Sequence, residues 1–185
     1  MHRRRLLMLA LAGAACPAFA STALIDALRD GGHVVYFRHA ATTWSGIDSI
    51  DWPRERQRLL SPRGIEDSRR IGAAWRRHGL PVGEILSSPF ARCRDMAELA
   101  FGRVEERMEL LGLLSDDAGR PARIAYLRGR LSAVPTGGNR VIVSHRSNIA
   151  QVAGVALEEG DAAILRPDGT GFQVLGVLRP GDWAG

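Results

Sequence analysis

Apolar residues along this chain gather in short runs separated by polar stretches. Val34-Val35-Tyr36-Phe37, Glu84-Ile85-Leu86-Ser87 and Val141-Ile142-Val143 are too short for helices and rich in β-branched and aliphatic residues, which predicts buried strands. Between the first two the period changes. Ile65, Ser68, Ile71, Gly72 and Trp75 fall on one helical face, with Arg69, Arg70, Arg76 and Arg77 mostly outside it. Ser61-Pro62 supplies a capping hydroxyl and a first-turn proline for that helix, and Gly79 ends it. Further helices are predicted from Thr22 to Arg29, from Pro89 to about Ala100, over residues 121–133, and from about Ser147 to Val155. Residues 103–106 read as another strand. Residues 162–166 and 171–178 read as a closing pair joined by the turn Pro167-Asp168-Gly169. Residues 40–60 show no period and read as a long loop. Strands alternating with helices imply a three-layer α/β/α sandwich around a largely parallel mixed sheet, with the last pair as an antiparallel edge.

The first twenty residues break this pattern. Arg3, Arg4 and Arg5 precede the apolar run Leu6 to Ala15, and Ala18-Phe19-Ala20 offers a small-x-small cleavage site. The expectation is a signal peptide over residues 1–20 cut after Ala20, one domain over residues 21–185, and a periplasmic or secreted protein. Cys16 follows Gly13-Ala14-Ala15, a poor lipoprotein signal. Loss of the three leader arginines takes the formal net charge from +5 to +2. So small a balance, with arginines scattered among acids as in Arg54-Glu55-Arg56, does not call for a nucleic-acid partner. Only Cys93 remains after cleavage, which excludes an internal disulfide and disfavours a cysteine-ligated metal. Outside the leader no apolar run reaches the roughly 20 residues that span a bilayer.

Three strands share one design. Arg38-His39 follows the first, Ser87-Ser88-Pro89-Phe90-Ala91-Arg92 closes the second, and Ser144-His145-Arg146 follows the third. Ligands of open α/β sheets bind beyond the carboxyl ends of the strands. If these strands are parallel neighbours, Arg38, His39, Arg92 and His145 meet at one edge, near helix starts that favour an anion. Two arginines, up to two cationic histidines and helix N-termini describe a phosphate pocket.

These segments resemble the histidine phosphatase superfamily, the phosphoglycerate mutase-like fold. Arg38-His39-Ala40-Ala41-Thr42 is similar to its Arg-His-Gly-x-Ser/Thr signature, and Trp44-Ser45 sits where Trp-Asn is frequent. Ser87-Ser88-x-x-x-Arg92, Met96-Ala97-Glu98, Ser144-His145 and Leu60-Ser61-x-x-Gly64 match in order and spacing across most of residues 33–178. The resemblance implies a nucleophile at His39 that forms a phosphohistidine, with Arg38, Arg92 and His145 holding the phosphoryl oxygens and Ser45 donating a further hydrogen bond. It implies no metal and no cofactor, and a small phosphorylated substrate.

Some positions depart from the family pattern. Ala40 and Arg146 stand where glycines are usual, and Arg146 is a candidate for binding a remote part of the substrate. The glutamate expected to protonate the leaving group falls on a leucine in Met108-Glu109-Leu110, which leaves Glu109, Asp116 and Asp117 as candidates. The resulting expectation is an exported phosphomonoesterase. A catalytically weak phospho-ligand binding module and a phosphohistidine-type phosphatase of the same fold are the alternatives.

Overall fold

The computed structural model describes residues 17–184. Helix α1 (Pro17–Ala27) continues as a 3-10 turn over Leu28–Asp30, and β1 (Val34–Arg38) follows. Then come α2 (Pro62–Arg77), β2 (Val82–Ser87), α3 (Ala91–Phe101) and β3 (Glu105–Glu106). The chain closes with α4 (Arg120–Ser132), β4 (Asn139–Ser144), α5 (Arg146–Ala153), β5 (Ala162–Pro167) and β6 (Phe172–Leu178). The arginines, apolar run and Cys16 of the expected leader lie outside the described residues. The expected cleavage point after Ala20 falls within α1.

The six strands form one mixed sheet in the order β3-β2-β4-β1-β5-β6. β1, β2, β3 and β4 run parallel, and β5 and β6 pair antiparallel at the edge. The three motif-bearing strands are therefore adjacent, with β4 between β1 and β2. Alternation along them sends side chains to opposite faces. Val35, Phe37, Ile85, Val141 and Val143 pack with α1, α2 and α3. Val34, Tyr36, Leu86 and Ile142 pack with α4 and α5. On the first face Phe37, Trp75, Phe101 and Trp183 form a continuous aromatic cluster, with ring centroids 5.2–6.2 Å apart.

Helix α2 starts and stops where the sequence predicts. Ser61 Oγ accepts the Gly64 N–H at 3.1 Å, and Gly79 leaves the helix with φ +64°. Close packing fixes two of its glycines. A Cβ at Gly64 would stand 2.1 Å from the Ala41 carbonyl oxygen, and one at Gly72 would stand 2.2 Å from that of Ala100. Helix α3 begins at Ala91 rather than Pro89, because Phe90 keeps a non-helical ψ of 137° as its N-cap. Among the described residues no helix is long and apolar enough to cross a membrane.

Candidate active site

The ends of β1, β2 and β4 continue into the site as a hydrogen-bonded layer. His39 N–H donates to the Ser144 carbonyl and Ser88 N–H to the Val143 carbonyl, each at 3.0 Å. This backbone register, set by the sheet, holds both histidines at one edge. Their ring centroids are 5.8 Å apart in an edge-to-face arrangement. Arg38, His39, Arg92 and His145 line one cavity of about 400 Å³, together with Phe90 and Arg146.

His39 is nearly fully buried, and its Nδ1 lies 2.9 Å from the Ala40 carbonyl oxygen. A carbonyl only accepts, so Nδ1 carries the ring proton and Nε2 keeps its lone pair. His145 Nε2 lies 2.8 Å from Ser88 Oγ, Tyr36 O–H donates to the His145 backbone carbonyl at 2.8 Å, and Phe90 meets the ring edge-on. Burial pushes both imidazoles well below their usual pKa, and the nearby Arg92 guanidinium adds to the effect. The cationic histidines expected from the sequence are therefore neutral at pH 7. Positive charge comes from guanidinium groups instead.

Three arginines supply it. Arg38 donates to the Leu157 carbonyl at 3.0 Å and to Glu158 at 3.3 Å. Arg92, with its side chain 5% exposed, donates to Asp48 at 2.8 Å and lies 4.2 Å over the Phe90 ring. Arg58, which sequence reasoning passed over, also lines the cavity. It donates to the carbonyls of Trp44 and Gly46, to Thr42 Oγ1 at 2.8 Å and to Glu159 at 3.2 Å. Its backbone N–H donates to Asp48 as well. Arg58 thus clamps the 42–48 loop that delivers Asp48 to Arg92. Glu159 sits among these groups, 3.7 Å from Arg38 and 4.0 Å from His39 Nδ1. Neither Asp48 nor Glu159 carries a periodic signal, since one lies in a featureless loop and the other in an acidic run.

The remaining candidates divide. Arg146 is exposed at the start of α5 and lines the cavity. Ser45 is exposed and does not line it, although its neighbours Gly46 and Ile47 do. The three acid candidates are elsewhere. Glu109 is exposed on the Met108–Leu110 turn, Asp116 pairs with Arg123, and Asp117 pairs with Arg120 at 2.6 Å. Arg123 holds the Asp116 carboxyl below its usual pKa, so that group stays ionised. The segment turns this way because Leu110, Leu111 and Leu113 enter the core. Asn148 fixes it there by accepting the Leu113 N–H and donating to the Leu111 carbonyl. Cys93, 4.0 Å from His145, is pushed up to about 12 by burial, so it is a thiol and not a nucleophile. Among the described residues no group of three or more His, Cys, Asp or Glu side chains could hold a metal ion.

Residues 34–120 match the histidine phosphatase superfamily, branch 1, a segment that holds Arg38, His39 and Arg92 in this geometry. The matched segment is a little under half of the chain, and over it the chain resembles that superfamily. Solved structures of similar fold include the protein histidine phosphatase SixA complexed with tungstate, at 17% identity and TM-score 0.59 over 81% of this chain and 98% of that one. A putative α-ribazole-5′-P phosphatase from Escherichia coli is 18% identical, with TM-score 0.59 over 80% of this chain and 96% of that one. A putative phosphohistidine phosphatase SixA from Agrobacterium tumefaciens is 21% identical, with TM-score 0.52 over 82% and 99%. A search of the curated proteins found no match. The protein is thus similar, in this segment and in fold, to metal-independent histidine phosphatases.

Its buried histidines have a consequence for stability. Unfolded histidines take up protons near pH 6.5, whereas His39 and His145 resist until well below it. Below pH 6.5 the unfolded chain therefore binds more protons, and stability falls with pH until the folded values are passed. Above pH 6.5 this contribution is fully present. Urea denaturation between pH 7.5 and 5 should show the loss, with a shallower slope in His39→Ala; equal slopes would contradict the assignment.

Proposed function

We propose that this phosphatase attacks phosphorus in line with His39 Nε2, forms a phosphohistidine, and lets water hydrolyse it. The observation that supports this most directly is the His39 tautomer, with Nδ1 bound to the Ala40 carbonyl and Nε2 left as a lone pair in a cavity ringed by arginines. Arg38 and Arg92 hold the phosphoryl oxygens, and their fixed charge meets the charge of the transition state as it develops. His145 adds a hydrogen bond from the ring nitrogen that Ser88 leaves available. Because His39 is already neutral, kcat/KM should keep its nucleophile active below pH 6.5 once ionisation of the substrate is accounted for.

The leaving group receives little help. Among the described residues the one carboxylate lining the cavity is Asp48, and Arg92 and the Arg58 N–H already engage it. We infer a preference for substrates whose leaving group departs without a proton from the protein: aryl phosphates, or phosphoramidates such as phosphohistidine. Para-nitrophenyl phosphate should be turned over at least about a hundredfold faster than an alkyl phosphate, the usual scale of general acid catalysis. Equal rates would indicate a working acid and return the reading to general phosphomonoesters. Turnover of neither would favour a phospho-ligand binding module.

We infer work outside the cytoplasm from the leader-like sequence of residues 1–20. Protein recovered from the cell envelope or medium should begin at Ser21. A full-length or lipidated N-terminus would contradict that location.

A further inference from the structure

We propose that the half of the cavity facing the leaving group is an apolar clamp made by Ile47 and Leu114, selecting phosphates borne on an aromatic or aliphatic body over phosphorylated polyols. The inference rests on the reading above, in which the arginine end of the same cavity holds the phosphoryl group.

Ile47 is 85% exposed and Leu114 77% exposed, and both line this cavity. A single exposed aliphatic residue is ordinary, but two from separate loops at one cavity are not. Neither belongs to a loose segment. Ile47 stands between Gly46, whose carbonyl Arg58 holds, and Asp48, which Arg92 and the Arg58 N–H hold. Leu114 follows Leu113, whose N–H donates to Ser147 and Asn148. Anchored neighbours present both side chains at little ordering cost on binding.

The cavity is also larger than phosphate needs, since about 400 Å³ is within the range of sites for whole organic ligands. What the rest of it offers is mainly Ile47, Leu114, Ala150 and the backbone of Gly46 and Gly112, with exposed Ser115 as a single hydroxyl. Recognition of a polyol needs several uncommitted polar side chains. Here the Ser147 hydroxyl already contacts Leu113 N–H and Asn148, and Asp48 is held by Arg92. Arg146 remains at the rim, suited to an anionic substituent on the apolar body.

Non-hydrolysable phosphonates separate this claim from catalysis. Calorimetry on the protein should find benzylphosphonate about ten- to a hundredfold tighter than methylphosphonate or 2,3-dihydroxypropylphosphonate, the effect of burying one aromatic ring. The ratio of benzyl to methyl affinity should collapse towards one in an Ile47→Ser, Leu114→Ser double variant, and a ratio does not depend on how much of the sample is folded. Equal affinities in the parent chain, a preference for the dihydroxypropyl compound, or an undiminished ratio in the variant would each overturn the clamp. If para-nitrophenyl phosphate is still hydrolysed in those cases, the phosphatase reading stands and only the clamp falls. If no phosphonate binds and no ester is hydrolysed, the phosphate site itself is wrong and the clamp falls with it.

Discussion

Replacing His39 with alanine is expected to lower kcat on para-nitrophenyl phosphate by about a thousandfold or more, or ~4 kcal/mol of transition-state stabilisation. Without the ring no other side chain in the cavity can take the phosphoryl group. Cys93 is buried and held as a thiol, and His145 has Nε2 bonded to Ser88 and, in the role given it above, carries its proton on the other ring nitrogen. The guanidinium groups of Arg38, Arg58 and Arg92 stay, so the variant should bind orthophosphate about as tightly as the parent chain. Loss of turnover with retained anion binding is the signature of a missing nucleophile. A kcat within tenfold of the parent would place the nucleophile elsewhere, and loss of both would make His39 a structural residue.

Arg92→Ala should damage activity and stability together, for different reasons. Removing one preorganised donor to the developing phosphoryl charge costs about 10²–10³ in kcat/KM. Removing the guanidinium also strands Asp48, whose side chain is 3% exposed and which otherwise accepts the Arg58 N–H. A buried carboxylate that loses its counterion destabilises a fold by about 3–5 kcal/mol. Adding Asp48→Ala should therefore restore much of the stability and none of the activity. A double-mutant cycle by urea denaturation checks it. Additive losses in that cycle would mean that the pair is not coupled and that Asp48 is satisfied by the loop alone.

The scaffold was largely legible in the sequence, because apolar run length and period report burial directly. β1 and β4 carry unbroken apolar runs and β2 the pair Ile85-Leu86, and their adjacency is what brings Arg38, His39, Arg92 and His145 to one edge. Residues 40–60 were opaque for the opposite reason. Their structure comes from side-chain bonds across long separations, such as Arg58 to Glu159 and Asp48 to Arg92, and such bonds leave no period. The expectation for the histidines failed on charge. Sequence places them beside arginines, but only the folded structure shows that burial and those same arginines keep the rings neutral. The acid candidates failed on direction, since the leucines around them take the core and turn Glu109, Asp116 and Asp117 outward.

Trapping the covalent intermediate tests the central claim most directly. The protein is mixed briefly with a ³²P-labelled aryl phosphate, quenched in alkali and digested. The account predicts a single labelled peptide containing His39, stable in alkali and labile in acid, and absent from His39→Ala. Label on any other residue, or turnover at the parent rate with no phosphoenzyme and undiminished in His39→Ala, would contradict it.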